Sequence, residues 1–166
     1  MLQFDRFTPE GQRFLQQLQK LQQLEVVVGF HRGEQTALRR TGTGGSSTAE
    51  TDIDIADVAM WNEFGTVHTP ARPFYRDSIA KINEMLPAFW ASELKRVMAG
   101  GSAEQSFQKL GVLAKGVIQD TILTGNYEPN KDATIARKGS SQPLIDTGRM
   151  RQSVNFVVKP IGGGGR

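Results

Sequence analysis

The chain has 166 residues, 38% of them apolar, no cysteine, and a formal net charge of +3 from 20 basic and 17 acidic side chains. That length suits one domain with a real core and is short for two, and the missing thiols exclude disulfides, thiolate catalysis and zinc-thiolate sites together, which fits assembly in a reducing cytoplasm. No apolar run approaches the ~20 residues of a membrane span, and Met1-Leu2-Gln3-Phe4-Asp5-Arg6 lacks the charged-then-apolar order of a signal peptide, so neither a membrane nor export is expected.

Thr8-Pro9 reads as an N-cap followed by proline at the first helical position, and Phe14, Leu15, Leu18, Leu21 and Leu24 make an apolar stripe on an otherwise glutamine-rich helix. Glu25 to His31, with its run of valines, reads as a short strand. From Arg32 to Glu50 the sequence is polar and glycine-rich with no hydrophobic period, which predicts a long loop of the kind a partner orders. It lacks the lysine and the spacing of a phosphate loop.

Asp52 or Asp54 caps a short helix carrying Ile55, Val58, Ala59, Trp61 and Phe64, and Gly65 ends it. Pro70 and Pro73 then make a stiff arm that presents Arg72 and Phe74. A long helix follows, with Ile79, Ile82, Leu86, Phe89, Trp90, Leu94 and Val97 on its buried side, Pro87 predicting a kink, and Gly100-Gly101 at its end. Ser102 with Gln105 predicts a capping box for another helix, whose stripe is Phe107, Leu110, Leu113, Ala114, Val117, Ile118 and Ile122. Two long helices joined by a glycine turn should pack antiparallel.

A second long loop is expected over 126–142, then a turn at Asp146-Thr147-Gly148, then a strand over 154–158 that pairs with the early strand; residues 161–166 read as a flexible tail. The expected fold is α+β over 1–166 as one domain: a small antiparallel sheet packed against two long antiparallel helices, with long loops.

Catalytic candidates are few. The two histidines, His31 and His68, repeat no ligand spacing. Asp52, Asp54 and Asp57 at a helix start read as cap and dipole partners before they read as metal ligands or paired carboxylates. No serine has a nucleophile-elbow context. The reading is therefore of a non-enzyme with no catalytic residue, metal or cofactor.

Two stretches couple an apolar anchor to a glycine turn and then to arginine: Trp61-Asn62-Glu63-Phe64-Gly65-Thr66 running into Pro70-Ala71-Arg72-Pro73-Phe74, and Pro143 to Val154 with Asp146, Gly148, Arg149 and Arg151. Buried aromatics and fixed backbone suit docking to other subunits better than chemistry. Trp61 and Phe64 read either as core or as docking anchors; Arg72 pairs either with Glu63 or with a carboxylate on a neighbouring subunit. On the second alternative Arg72→Glu spares the fold and impairs assembly. Arg149 and Arg151 form either a solvated face or an intersubunit or nucleic-acid contact. Lys131, Arg137, Lys138, Arg149 and Arg151 against Asp132 and Asp146 make the C-terminal part basic.

The ordered set of an "EFGT" element, an "ARPF" element, helices and a "PLIDTG" element followed by arginine resembles the neck and tail-completion proteins of tailed bacteriophages, over roughly residues 52 to 158. The resemblance implies a structural virion component, assembled in the bacterial cytoplasm, that forms a homo-oligomeric ring (a hexamer or dodecamer) at the head-to-tail junction. It would contact connector proteins above and the tail terminator or tail tube below, with DNA passing non-specifically through the channel and no membrane partner. Trp61, Glu63, Phe64, Arg72, Phe74, Asp146, Arg149 and Arg151 are the interface residues expected. A tail terminator capping the tube is the nearest alternative, and a DNA-binding module using the basic C-terminal segment is the alternative of another class.

Overall fold

The computed structural model describes residues 7–33, 36–41, 49–132, 135–136, 143–144 and 148–162, with the backbone alone for 36–41 and 49–52. Helix α1 (Pro9–Leu21) leads into strand β1 (Leu24–Phe30); β2 (Thr36–Thr41) and β3 (Ala49–Asp54) follow, then α2 (Ile55–Phe64), α3 (Phe74–Met98), α4 (Ala103–Thr124), α5 (Arg149–Gln152) and β4 (Val154–Pro160). The chain is α+β, and no helix among the described residues is long and apolar enough to cross a membrane.

The first and last strands meet. β1 and β4 pair antiparallel from Leu24↔Pro160 to Phe30↔Val154, and the Ile161 amide carries the ladder on to the Gln23 carbonyl at 2.8 Å. Alternation sends Val28 and Phe30 of β1 and Val154 of β4 to the core, while the opposed pair Val27 and Val157 stays exposed on the outer face. Helix α4 lies against this sheet, close enough at Gly111 that a Cβ there would collide with the Phe156 ring. Helix α3 packs on α4 and reaches β1 through its first turn, where Phe74 meets Phe30 edge to face at 6.1 Å. Ile55, Ala59, Phe74, Ile82, Ala114, Ile118, Ile122, Leu144, Met150 and Val154 form the buried core.

Helix starts follow their sequence signals. Thr8 accepts the Gly11 amide (3.3 Å), Asp54 accepts that of Ala56 (2.9 Å), and Ser102 accepts that of Gln105 (3.2 Å). The capping box at Ser102 is only half made, because the Gln105 carbonyl accepts from Arg96 instead (3.0 Å). Helix α1 supplies a further cap from a distance: the Gln17 side chain accepts the Ala103 amide at 2.9 Å, which ties the glutamine-rich helix to the start of α4.

Three expectations need correction. The span 32–50 is not one long loop, since β2 and β3 pair from Thr36↔Asp54 to Thr41↔Ala49 as a separate two-stranded sheet. This hairpin makes its main outside contacts with α2, so its strands carry no hydrophobic period to be read. Leu94 is exposed, and the charged Glu93 takes the buried position beside it. Within the second expected loop, the Ile135 amide donates to the Lys131 carbonyl (3.0 Å), which makes a helical turn there. Residues 133–134 and 137–142 of that expected loop, Asp146, and 163–166 of the expected tail lie outside the described residues.

Candidate functional site

The EFGT and ARPF stretches and Pro143-Leu144 of the third stretch converge at one junction between α2 and α3. Gly65 has φ 77°, and a Cβ there would stand 2.8 Å from the Ala71 nitrogen, so glycine is required both by backbone and by space. The chain turns tightly through the Thr66–Thr69 bridge and returns with the Arg72 amide donating to the Asn62 carbonyl at 2.7 Å.

Arg72 is only 2% exposed. Its Nε donates to the Glu128 carbonyl (3.1 Å), Nη2 to Asn130 Oδ1 (3.0 Å), and Nη1 to Asn62 Oδ1 (3.4 Å) and the Pro143 carbonyl (3.5 Å). The guanidinium thus clamps three distant segments through neutral oxygens. Burial lowers its pKa from the usual value, and the Glu128 carboxylate partly opposes that shift.

Glu63 is also buried, and its carboxylate caps α3 from the neighbouring helix. It accepts the Tyr75 amide (2.8 Å) and the Arg76 amide (3.3 Å), with Arg76 Nε at 3.4 Å. Pro73, at the N-cap of α3, offers no side-chain bond, so a carboxylate placed against the positive helix end fills that role.

These contacts leave Arg72 in neither of its two expected pairings and correct the interface expectation for Arg72, Glu63 and Phe74. Arg72 does not pair with Glu63, and neither it, Glu63 nor Phe74 is available to a neighbour: two are consumed by internal hydrogen bonds and the third is core. The expectation that Arg72→Glu spares the fold is therefore replaced by that of an internal brace. Trp61 and Phe64 turn outward instead, 40% and 69% exposed, and Arg149 is exposed on α5 with Arg151 half-buried beside it.

Beside the junction runs an open apolar groove of about 530 Å³. One wall is β1 from Val27 to His31; the other is α2 with Ala59, Met60 and Phe64, and Tyr75 and Arg76 close one part of it. The Tyr75 hydroxyl donates to the Val28 carbonyl at 2.8 Å, and burial followed by the Glu63 charge raises the Tyr75 pKa, keeping that proton in place. Arg76 lies over the Phe64 ring at 6.0 Å. His31 Nδ1 is the one buried side-chain polar atom among the described residues with no hydrogen-bond partner.

A second polar cluster locks the far end of the α3–α4 hairpin. Glu93 accepts from Arg96 (2.7 Å), Lys109 (2.9 Å) and Ser106 (3.0 Å), and Arg96 also bonds Ser106 and the Ser102 carbonyl. Burial pushes the Glu93 carboxyl up, but the hydrogen bonds from Lys109, Arg96 and Ser106 outweigh it and hold the pKa at about 2. Ser106 donates to the Glu93 carboxylate, but both are buried, and the carboxylate also accepts from Arg96 and Lys109; no group of three metal-ligating side chains occurs among the described residues. Sequence reading missed Asn130 and Glu93; a charged residue on the buried face of a helix was the signal for Glu93, and nothing local marked Asn130, which lies outside the helices.

Comparison with protein-family models, with curated proteins and with solved structures finds no match to this chain.

Proposed function

We propose that the chain is a non-enzymatic structural protein of a tailed-phage virion, a ring-forming tail-completion component that joins the portal-side connector to the tail. The observation that carries this reading is that the EFGT and ARPF stretches, close in sequence, meet Pro143 of the third stretch, 71 positions on, at the single Arg72 junction. Residues that share a motif order and also share a fold-bracing site form one unit, which strengthens the resemblance beyond three separate short matches.

The exposed apolar side chains add support. Phe64, Trp61, Met60 and Val67 surround or follow the end of α2, and Val67, on the bridged turn, is 96% exposed. An exposed valine on a bridged turn, with Trp61 and Phe64 exposed near it on the same helix end, supports a subunit that meets partners there. Polar groups at the junction are spent on the fold, and apolar groups are left for partners.

Electron microscopy of the purified protein, alone and mixed with candidate connector and tail proteins, tests the reading. Rings with an open channel, bound by a connector on one face, are expected. A monomer that binds none of them overturns it, and a monomer whose DNA affinity falls steeply with salt replaces it with the DNA-binding alternative.

A further inference from the structure

Helix α1 differs from the other long helices in how little of it is enclosed. Of α1 to α4 it alone has no buried residue, and none of its apolar side chains belongs to the core or to the shell packed on that core. Phe14, Leu15, Leu18 and Leu21 are half-buried, and the helix rests on the α3–α4 hairpin. Its polar links to α4 are the Gln17 side chain on the Ala103 amide (2.9 Å) and Lys20 beside Glu104 at 3.9 Å, a pair more than half exposed at both ends and so worth little.

The hinge of this helix is equally well defined. The Gln23 amide still bonds back to the Lys20 carbonyl (3.0 Å), while the Gln23 carbonyl already accepts the Ile161 amide in the sheet ladder (2.8 Å). One residue thus serves helix and sheet at once, and no slack lies between α1 and β1.

We propose that α1 is an exchangeable arm: in the assembled protein it leaves its own α3–α4 hairpin and seats on that of a second copy. The inference rests on the assembly reading above and names a contact that joins copies in addition to the outer face of α2.

Two properties of α1 select this occupant. A helix of 13 residues is marginal by itself in water, so α1 released from its seat needs an apolar surface to remain a helix. The surface that fits its leucine stripe and offers the Ala103 amide to Gln17 is the one seen within this chain, and every copy that has released its own α1 presents it. Contacts between arm and seat are the same in both arrangements, so the choice between them is set by the hinge and by the meeting of copies. A hinge without slack favours exchange over folding back. Because the arm of one copy seats on the next, the contact is head-to-tail and repeats around a ring when its rotation closes.

The chain has no native thiol, so introduced cysteines report the seating directly. Lys20→Cys and Glu104→Cys, side by side on α1 and at the start of α4, are placed in one chain, and the assembled protein is treated with a short bismaleimide. Links between chains, seen as a ladder of covalent oligomers in a denaturing gel, are expected to dominate. Inserting Gly-Ser-Gly after Gln22 should let α1 fold back on its own hairpin and cut the between-chain product at least about tenfold in favour of the within-chain link. Within-chain links alone in assembled particles overturn the proposal and leave the assembly reading standing; within-chain links in a protein that light scattering shows to be a monomer remove both. Failure to link at all also overturns it, because either seating brings the two positions together. Between-chain links that persist undiminished with the lengthened hinge, or that form equally when Lys20→Cys is the sole substitution, count against it.

Discussion

The two sides of α2 solve opposite problems. Toward α3, Asn62 and Glu63 sit among buried hydrogen bonds, and every motif residue there answers to another part of the same chain. On its other side Met60, Trp61 and Phe64 meet water beside a groove that no described residue fills. On the proposed assembly reading, bracing the fold and meeting a partner thus fall to neighbouring residues of one helix. A short motif spanning both faces is a poor guide to which residue does which.

Substitutions should separate the two faces. The largest effect is expected at Arg72: Arg72→Ala removes a buried side chain and its part-buried bonds to the Glu128 and Pro143 carbonyls and to Asn62 and Asn130, and should cost about 3 kcal/mol in urea unfolding. A loss below roughly 0.5 kcal/mol would place Arg72 with surface residues and erase the contrast. Glu63→Ala, which leaves the Tyr75 and Arg76 amides uncapped, should cost about 2 kcal/mol by the same assay, with Glu63→Gln losing less because the amide oxygen still accepts.

Acid sharpens the comparison at the other inward cluster. Glu93 has a folded pKa near 2, below its ordinary value of 4.5, so its contribution to stability is fully present above 4.5 and is lost as pH falls toward 2. The melting temperature of the wild type should fall across that window more steeply than that of Glu93→Gln, and parallel curves would remove Glu93 as the cause. The smallest stability effect is expected on the outer face, where Phe64→Glu should change the unfolding free energy by less than about 0.5 kcal/mol.

Much of the fold was legible because it followed local rules. Thr8-Pro9, Asp54 and Ser102 marked helix starts, the valine runs marked β1 and β4, and the glycine pair at 100–101 marked the helical hairpin. The β2–β3 hairpin was not legible, because a polar ribbon resting mainly on one helix has no alternating apolar face to display. The motif residues come together in space, but Arg72, Glu63 and Phe74 are buried there and brace the fold in place of the contacts with neighbours expected of them. Their role depends on which oxygens lie within reach: Arg72 finds the carbonyls of Glu128 and Pro143, 56 and 71 positions away, and no local pattern encodes that distance.

The central claim is that this chain assembles through the outer face of α2 while its motif arginine braces the interior. Light scattering of the wild type and of Phe64→Glu at matched concentrations tests it most directly. The account predicts a multi-subunit particle for the wild type and a folded species near 18.3 kDa for the variant, with the same unfolding midpoint. A wild type that stays at 18.3 kDa at every concentration, or a Phe64→Glu variant that assembles undiminished, would contradict it.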